Sequence, residues 1–307
     1  MSPVQPYATE WESMETVNFL GQECHVVENG SLKVLVTRSV GPRLLSFGFK
    51  DGENIFAELP EGVIDLPGGG AFHFYGGHRL WHAPEEPART YLPDDAPVEI
   101  VPFKGGLTVT QKTEPQTGLQ KTIEVRFPGD SPQVVVTHHL TNQGLWPVTC
   151  ALWAITQLKK GGTAIFPQIR LDTGVLPNRS LALWPYTNML HPNVRWGSNF
   201  ILLDAEMDSP FKIGFPNPRG WQAYWCNGML FVKRAAYEAN AEYYDYGSSS
   251  ESYCDHRFIE LETLAPIRTI APGETASHIE TWELHRDIDR PRHESDAQRI
   301  VETLGLE

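Results

Sequence analysis

The feature that most restricts what this chain can fold into is a rhythm of short apolar runs cut by Gly, Pro, Asn and Asp. "SLKVLVTRSVG", "LTVTQKTE", "QKTIEVRF", "QVVVTHHLTN", "VTCALWAITQL", "FILLDA", "MLFVKRAAY", "RFIELETL" and "ASHIETWEL" each have the length and composition of one strand. Branched and aromatic residues dominate them, as a half-buried pleated surface favours. A sustained 3.6-residue period occurs only near the end, where "SDAQRIVETLG" offers Ser295 as N-cap and Ile300, Val301 and Leu304 as an apolar stripe. Many strands with no helices between them predict an all-β fold, a large β-sandwich carrying a short C-terminal helix over about 294–305. Helix should then account for well below about one-fifth of residues.

The length of 307 residues allows two domains, yet no repeat or low-complexity linker divides the chain. "PGGG" at Pro67–Gly70 and "GSSSES" at Gly247–Ser252 read as loops inside one domain, 1–307, with a core over about 12–285. A net charge of −13 argues against a nucleic-acid partner, because phosphate binding needs a basic surface. The four cysteines are scattered without a C-x-x-C pair, so they read as free thiols in a reducing compartment. The first basic residue is Lys33 and no apolar run approaches 18 residues, so the expectation is a soluble cytoplasmic protein without a signal peptide or membrane partner. No cofactor is expected: "PGGGAF" lacks the Lys and helix of a phosphate loop, and no G-x-S-x-G serine occurs.

One segment gathers side chains that usually serve function. "FHFYGGHRLWHAPEEP", Phe72–Pro87, holds three histidines, an arginine, a tryptophan and two glutamates. It lacks the apolar content of a strand buried throughout, and Pro84 and Pro87 would end a helix early. It reads as a punctuated segment of the kind where binding residues lie. If extended, His78, Leu80 and His82 share one face, and Arg79 and Trp81 the other. The two histidines stand four apart, a ligand spacing on a helix, but the Gly-Gly start and Pro84 exclude that helix and no metal is expected.

"GPRLLSFGFKDGENIF", "YGGHRLW", "VTHHLTNQGLWPVTCALWAITQL" and "FIELETLAPIRTIAPGETASHIETWEL" follow one another in an order that resembles the galactose mutarotase-like superfamily, which includes the aldose 1-epimerases. The resemblance runs from about Glu12 to Leu284, and "GGHRLWHAPE" with "LWPY" is similar to an uncharacterised bacterial branch. It implies a β-supersandwich with a sugar-binding cleft on one sheet. Mutarotation needs a base for the anomeric hydroxyl and an acid for the ring oxygen. In "FIELET", Phe258, Glu260 and Glu262 share a face opposite Ile259 and Leu261, so both glutamates face cleft or solvent. The resemblance makes Glu262 the base, with Glu260 as a companion that binds substrate.

The acid departs from that family. Trp153 stands where the resemblance implies the acid histidine, and Tyr75 where it implies a second histidine. An indole N–H does not titrate. His78 and His82 are the candidate substitutes, with His139 as a further ligand-facing candidate on the more polar face of its strand. Arg79 matches an arginine that grips the sugar in a related phosphosugar branch. Aromatic faces stack on the C–H faces of sugars, which nominates Trp81 and Trp184, with Tyr186 and Arg195 from "LWPYTNMLHPNVRW" as companions. The readings that remain open are an aldose 1-epimerase-like isomerase, a non-catalytic carbohydrate-binding or regulatory protein, and a polysaccharide lyase or hydrolase on the same fold. All three take a sugar or sugar derivative as partner, and the oligomeric state is left open.

Overall fold

The structure, a computed structural model, describes residues 14–66 and 70–306. Strand accounts for 50% of the chain and helix for 7%, which is the all-β balance the apolar rhythm predicts. All nine runs quoted above form strands. Two large antiparallel sheets carry the fold. In the first, the spatial order is Thr16–Phe19, Gln22–Glu28, Leu32–Thr37, Arg43–Phe49, His78–Ala83, Val148–Lys159, Phe258–Leu264, Ser250–Cys254, Phe211–Phe215 and Ala182–Leu183. In the second it is Val194–Trp196, Phe200–Asp204, Thr163–Pro167, Trp221–Cys226, Met229–Ala235, Thr275–His285, Gln133–Asn142, Leu119–Arg126, Gly106–Thr110 and Glu99–Phe103.

The core lies between the sheets and follows the period of two. Leu152 and Leu158 from one sheet, Ile259 and Leu261 beside them, and Val134, Val136 and Leu140 from the other share one apolar cluster. Phe47, Phe56, Phe231 and Trp282 meet at its centre with ring centroids 5.5 to 6.4 Å apart, edge-on in every pair but the tilted Phe47–Phe56. Burying aromatic faces this way removes a large apolar area from water in the middle of the sandwich.

A separate cluster sits on the outer face of the first sheet, where Trp81, Trp153, Ile155 and Leu264 pack under Phe72 and Phe74. Those two phenylalanines belong to a hairpin, Glu58–Asp65 paired with Ala71–Gly76, that lies over the central strands. Arg43 fixes it there, donating to the carbonyls of Phe74 at 2.5 Å and His73 at 3.0 Å while held by Asp94 at 2.7 Å. The chain passes from hairpin to sheet through Gly76 and Gly77, with φ of 91° and 68°. A Cβ at either would lie 2.0 Å from a backbone carbonyl oxygen, so only glycine makes this step.

Several expectations need correction. Phe72–Pro87 is not a loop: it supplies Ala71–Gly76 and His78–Ala83, and the second strand is buried at all six positions. Covering by the hairpin on one side and the second sheet on the other is what makes so polar a strand possible. Ser250–Cys254 is likewise a strand, so "GSSSES" is a loop only at its start. The C-terminal helix is present as Glu294–Leu304, but His293, not Ser295, is its N-cap residue, and Gly305 closes it with φ of 62°. Asp296 explains the shift, accepting from the backbone N–H of His293 at 2.8 Å and of Arg292 at 2.9 Å. The Pro67–Gly69 part of "PGGG" lies outside the described residues. Cys24, Cys150, Cys226 and Cys254 are buried and unpaired. No helix among the described residues is long and apolar enough to cross a membrane.

Candidate functional site

The outer face of the first sheet opens into a cavity of about 170 Å³. Its floor follows from register. Trp153 pairs with Trp81 on one side and Leu264 on the other, and two paired rows along, on the same face, come Arg79, Ile155, Glu262 and Glu251. Gln157 pairs with Glu260 further along the same strands. Alternation therefore sends Arg79, Trp81, Trp153, Glu260 and Glu262 outward while their neighbours enter the core. Phe74 from the hairpin, Tyr91, Tyr186 and Tyr253 form aromatic walls, and Glu85 and Arg257 add charge.

Glu260 is the carboxylate that lines the floor of the cavity. Its Oε1 accepts from Arg79 at 3.1 Å and from Gln157 at 3.0 Å. Burial pushes its pKa up to about 7; the Arg79 charge opposes the rise and the Glu262 charge adds to it. Such a carboxyl can give or take a proton at neutral pH. Glu262 lies on the same strand face but is sealed, its Oε2 accepting from the Trp153 indole at 2.7 Å and from the Lys212 ammonium at 3.1 Å. Lys212 also pairs with Glu251 at 2.8 Å. Burial drives Glu251 well above the ordinary carboxylate range, against the pull of Lys212. The Lys212 ammonium sits 4.6 Å from the ring centres of both Trp153 and Trp184.

The residues singled out in the sequence divide in two. Arg79, Trp81, Trp153, Tyr186 and Glu260 line the cavity; Glu262 and Trp184 stand behind Lys212. Arg79 lines the cavity with its guanidinium 4.2 Å from the Trp81 ring centre and Nη2 on Glu260, while Nε and Nη1 have no hydrogen-bond partner among the described residues. Tyr75 is at the turn, stacked on His73 at 5.6 Å with the Arg43 guanidinium 5.2 Å away. His139 is on the outer face of the second sheet, bonded to Ser277 at 2.8 Å. Arg195 is on an edge strand, held by both oxygens of Asp204 at 2.5 and 2.9 Å.

His78 and His82 point the other way, into the space between the sheets, because Leu80 on their face belongs to the core. The split of the strand into two faces is as expected, but the histidines do not face the cavity. No residue lining that cavity among the described ones is a histidine. His138 is a partnered core histidine. Its Nδ1 faces the His278 carbonyl at 3.0 Å, which can only accept, so Nε2 is left to accept from His78 Nε2–H at 2.7 Å. His78 Nδ1 then accepts from the Thr156 hydroxyl at 2.9 Å. Lys233 donates to Thr156 at 3.0 Å and to the carbonyls of Ala154 and Leu261 at 3.0 and 2.9 Å, and pairs with Glu280 at 3.0 Å. His82 lies apart, near the 2.5 Å Lys121–Glu114 pair, with no partner for either ring nitrogen among the described residues.

His78, His138 and Glu280 bring ligand atoms within 4.8 Å of one another. The arrangement does not suit a metal. Two imidazoles on one tetrahedral ion keep their nitrogens roughly 3.3 Å apart, whereas these two share a proton at 2.7 Å. The Lys233 ammonium already occupies the cation's place at Glu280.

Sequence reasoning missed Lys212, Glu251, Tyr91, Tyr253 and Arg257. The signal for Lys212 was present in "FKIGF", where a lone cation interrupts an apolar strand.

No protein-family profile matches the chain, and no curated protein matches it by sequence. Solved structures do. A candidate aldose 1-epimerase from Klebsiella pneumoniae is 10% identical over 93% of this chain and 83% of its own, with a TM-score of 0.59. A galactose mutarotase-like protein from Lactobacillus casei is 13% identical over 85% and 100%, with a TM-score of 0.53. A candidate aldose 1-epimerase from Escherichia coli K12 is 11% identical over 86% and 99%, with a TM-score of 0.52. Two facing antiparallel sheets and these matches over most of the chain identify the fold as galactose mutarotase-like.

Proposed function

We propose that this chain binds a monosaccharide or sugar derivative in the outer cavity of the first sheet and interconverts its anomers by acid–base ring opening. The observation that carries the reading is Glu260: a carboxyl held near pKa 7 at the floor of an aromatic-walled cavity. Trp81, Trp153 and Tyr186 offer ring faces to the C–H faces of a sugar. Glu260 takes the anomeric proton, in preference to Glu262, because Glu262 is sealed behind Trp153 and Lys212. Glu262 instead orients those two groups.

The test is exchange between α and β anomers, followed by NMR magnetisation transfer on a panel of aldoses, uronates and phosphosugars. Glu260→Gln keeps shape and one acceptor but removes the base. It should slow interconversion at least ~100-fold, the usual worth of a positioned acid or base, while tryptophan fluorescence still reports binding. A variant that keeps the wild-type rate sinks the assignment. The absence of histidine from the cavity lining among the described residues favours one other reading, a non-catalytic carbohydrate-binding protein. In that case sugars bind and no anomer exchange is accelerated.

A further inference from the structure

Resting on that acid–base reading, we propose that Lys212 is a catalytic residue whose ammonium binds the ring oxygen of the sugar and supplies the proton that opens the ring. The strand that carries it, Phe211–Phe215, is buried at every position. Phe211, Ile213 and Phe215 enter the core between the sheets, which sends Lys212 to the cavity side. Two of its three N–H groups are taken by Glu251 at 2.8 Å and Glu262 at 3.1 Å. No further oxygen acceptor for the ammonium is found among the described residues; it lines the cavity with the Trp153 and Trp184 ring centres 4.6 Å away.

The other donors around the cavity are less suited. Arg79 lies against the Trp81 ring and an arginine does not release its proton. Arg257 is bound to Asp255 at 2.6 Å. Burial pushes the phenols of Tyr186 and Tyr253 well up, so they remain neutral and place no charge beside a developing oxyanion. Lys212 stays charged: burial alone would lower its pKa, but Glu251, Glu262 and then Glu260 hold it above its ordinary value.

The proton balance closes without any outside reactant. Glu260 takes the proton from the anomeric O–H as the C1–O carbonyl forms. The bond from C1 to the ring oxygen breaks, and its electron pair stays on that oxygen, which takes a proton from Lys212. The open aldehyde turns about C1–C2. Closure on the other face returns one proton to Lys212 and the other from Glu260 to the anomeric oxygen.

Anomer exchange and sugar binding are measured for wild type, Glu260→Gln, Lys212→Met and Lys212→Arg. Lys212→Met should lose at least ~100-fold in rate, with sugar binding weakened by less than the rate. Lys212→Arg keeps the charge but not the transferable proton, and should stay at least ~10-fold slow. If Glu260→Gln is slow while Lys212→Met or Lys212→Arg is fast, this role for Lys212 is overturned and the acid–base reading survives. If wild type accelerates no sugar on the panel, both fall. Wild type also gives a variant-free check. With Arg79, Glu262 and Lys212 around Glu260, and Glu251, Glu262 and Glu260 around Lys212, the rate should rise through about pH 7 and stay level to about pH 10. A fall between about pH 7 and 9 would assign the acid to another group. Should Lys212→Met leave Glu251 and Glu262 too close to fold, Lys212→Met/Glu251→Gln removes one carboxylate charge and must show the same loss.

Discussion

The strand His78–Ala83 shows two polar faces with opposite fates. Its outward face carries Arg79 and Trp81 to a cavity where Glu260 is held near neutrality. Its inward face carries His78 and His82 between the sheets, where burial pushes His78 well below 6.5 and His82 down to about 3. The same residue types that look catalytic in sequence are, on this second face, uncharged packing. What separates them is access. A titrating group is useful where a ligand can approach it, and a histidine sealed between sheets is kept neutral because charging it there costs more than any partner returns.

The largest expected effect tests that sealing. His78, His82, His138 and His278 all have native pKa values below the ordinary 6.5, with His138 at about 4 and His278 at about 3. A depressed pKa contributes stability that is present above 6.5 and lost as pH falls through the native value. Glu260 and Glu251 act in the opposite sense, since their raised values favour the native state at lower pH and lose that contribution as pH rises. Between about pH 6.5 and 4.5 unfolding should therefore take up about two protons net, costing about 3 kcal/mol per pH unit and about 5 kcal/mol over the interval. Urea melts at several pH values measure it. A flat profile would mean that the inward face is open to water like the outward one.

A smaller effect isolates what supports the inward face. Lys233→Met leaves Glu280 buried without its cation and removes donors from the carbonyls of Ala154 and Leu261, on the strands that present Trp153 and Glu260. The loss should be about 3–5 kcal/mol. Lys233→Met/Glu280→Gln should recover part of it, because the unpaired charge is gone. No recovery would show that Lys233 acts through packing and not through Glu280.

Much of this was legible in the sequence, and the rest fails for a definable reason. Period-two alternation separates the aliphatic from the polar face in "FIELET", since Ile259 and Leu261 mark the core side unaided. In "HRLWHA" both faces are polar, and Leu80 is the one aliphatic marker of the inward side; the histidines beside it are the stronger chemical signal and point reasoning the wrong way. Alternation gives the faces but not their surroundings. The hairpin that walls the cavity and the strand that brings Lys212 come from positions far apart in the chain, and only the folded sheet brings them together. Tryptophan shows the same limit, since Trp81 is both a cavity wall and a packed residue.

That double role sets the sharpest contrast between wall residues, and the smallest effect belongs to the exposed one. Trp81 is 5% exposed and meets Phe72, Tyr91 and Trp153 with centroids 5.4, 5.0 and 5.4 Å apart. Trp81→Ala should cost about 3–5 kcal/mol of stability as well as binding, because it opens a cavity that its aromatic neighbours cannot refill. A cleft residue and a core residue are therefore not alternatives at this position. Tyr186 is 46% exposed, and its ring meets the wall at Tyr253, with centroids 6.4 Å apart. Tyr186→Ala removes little buried area, so stability should change by less than about 1 kcal/mol. Its ring still lines the cavity, and losing it should weaken sugar binding by roughly tenfold, the worth of one stacked ring. Fluorescence titrations on the two variants, with melts alongside, separate the contributions. If Tyr186→Ala binds as tightly as wild type, the sugar is held by the buried floor alone. If it melts as early as Trp81→Ala, the wall is part of the fold and exposure is a poor guide to which residues belong to the site.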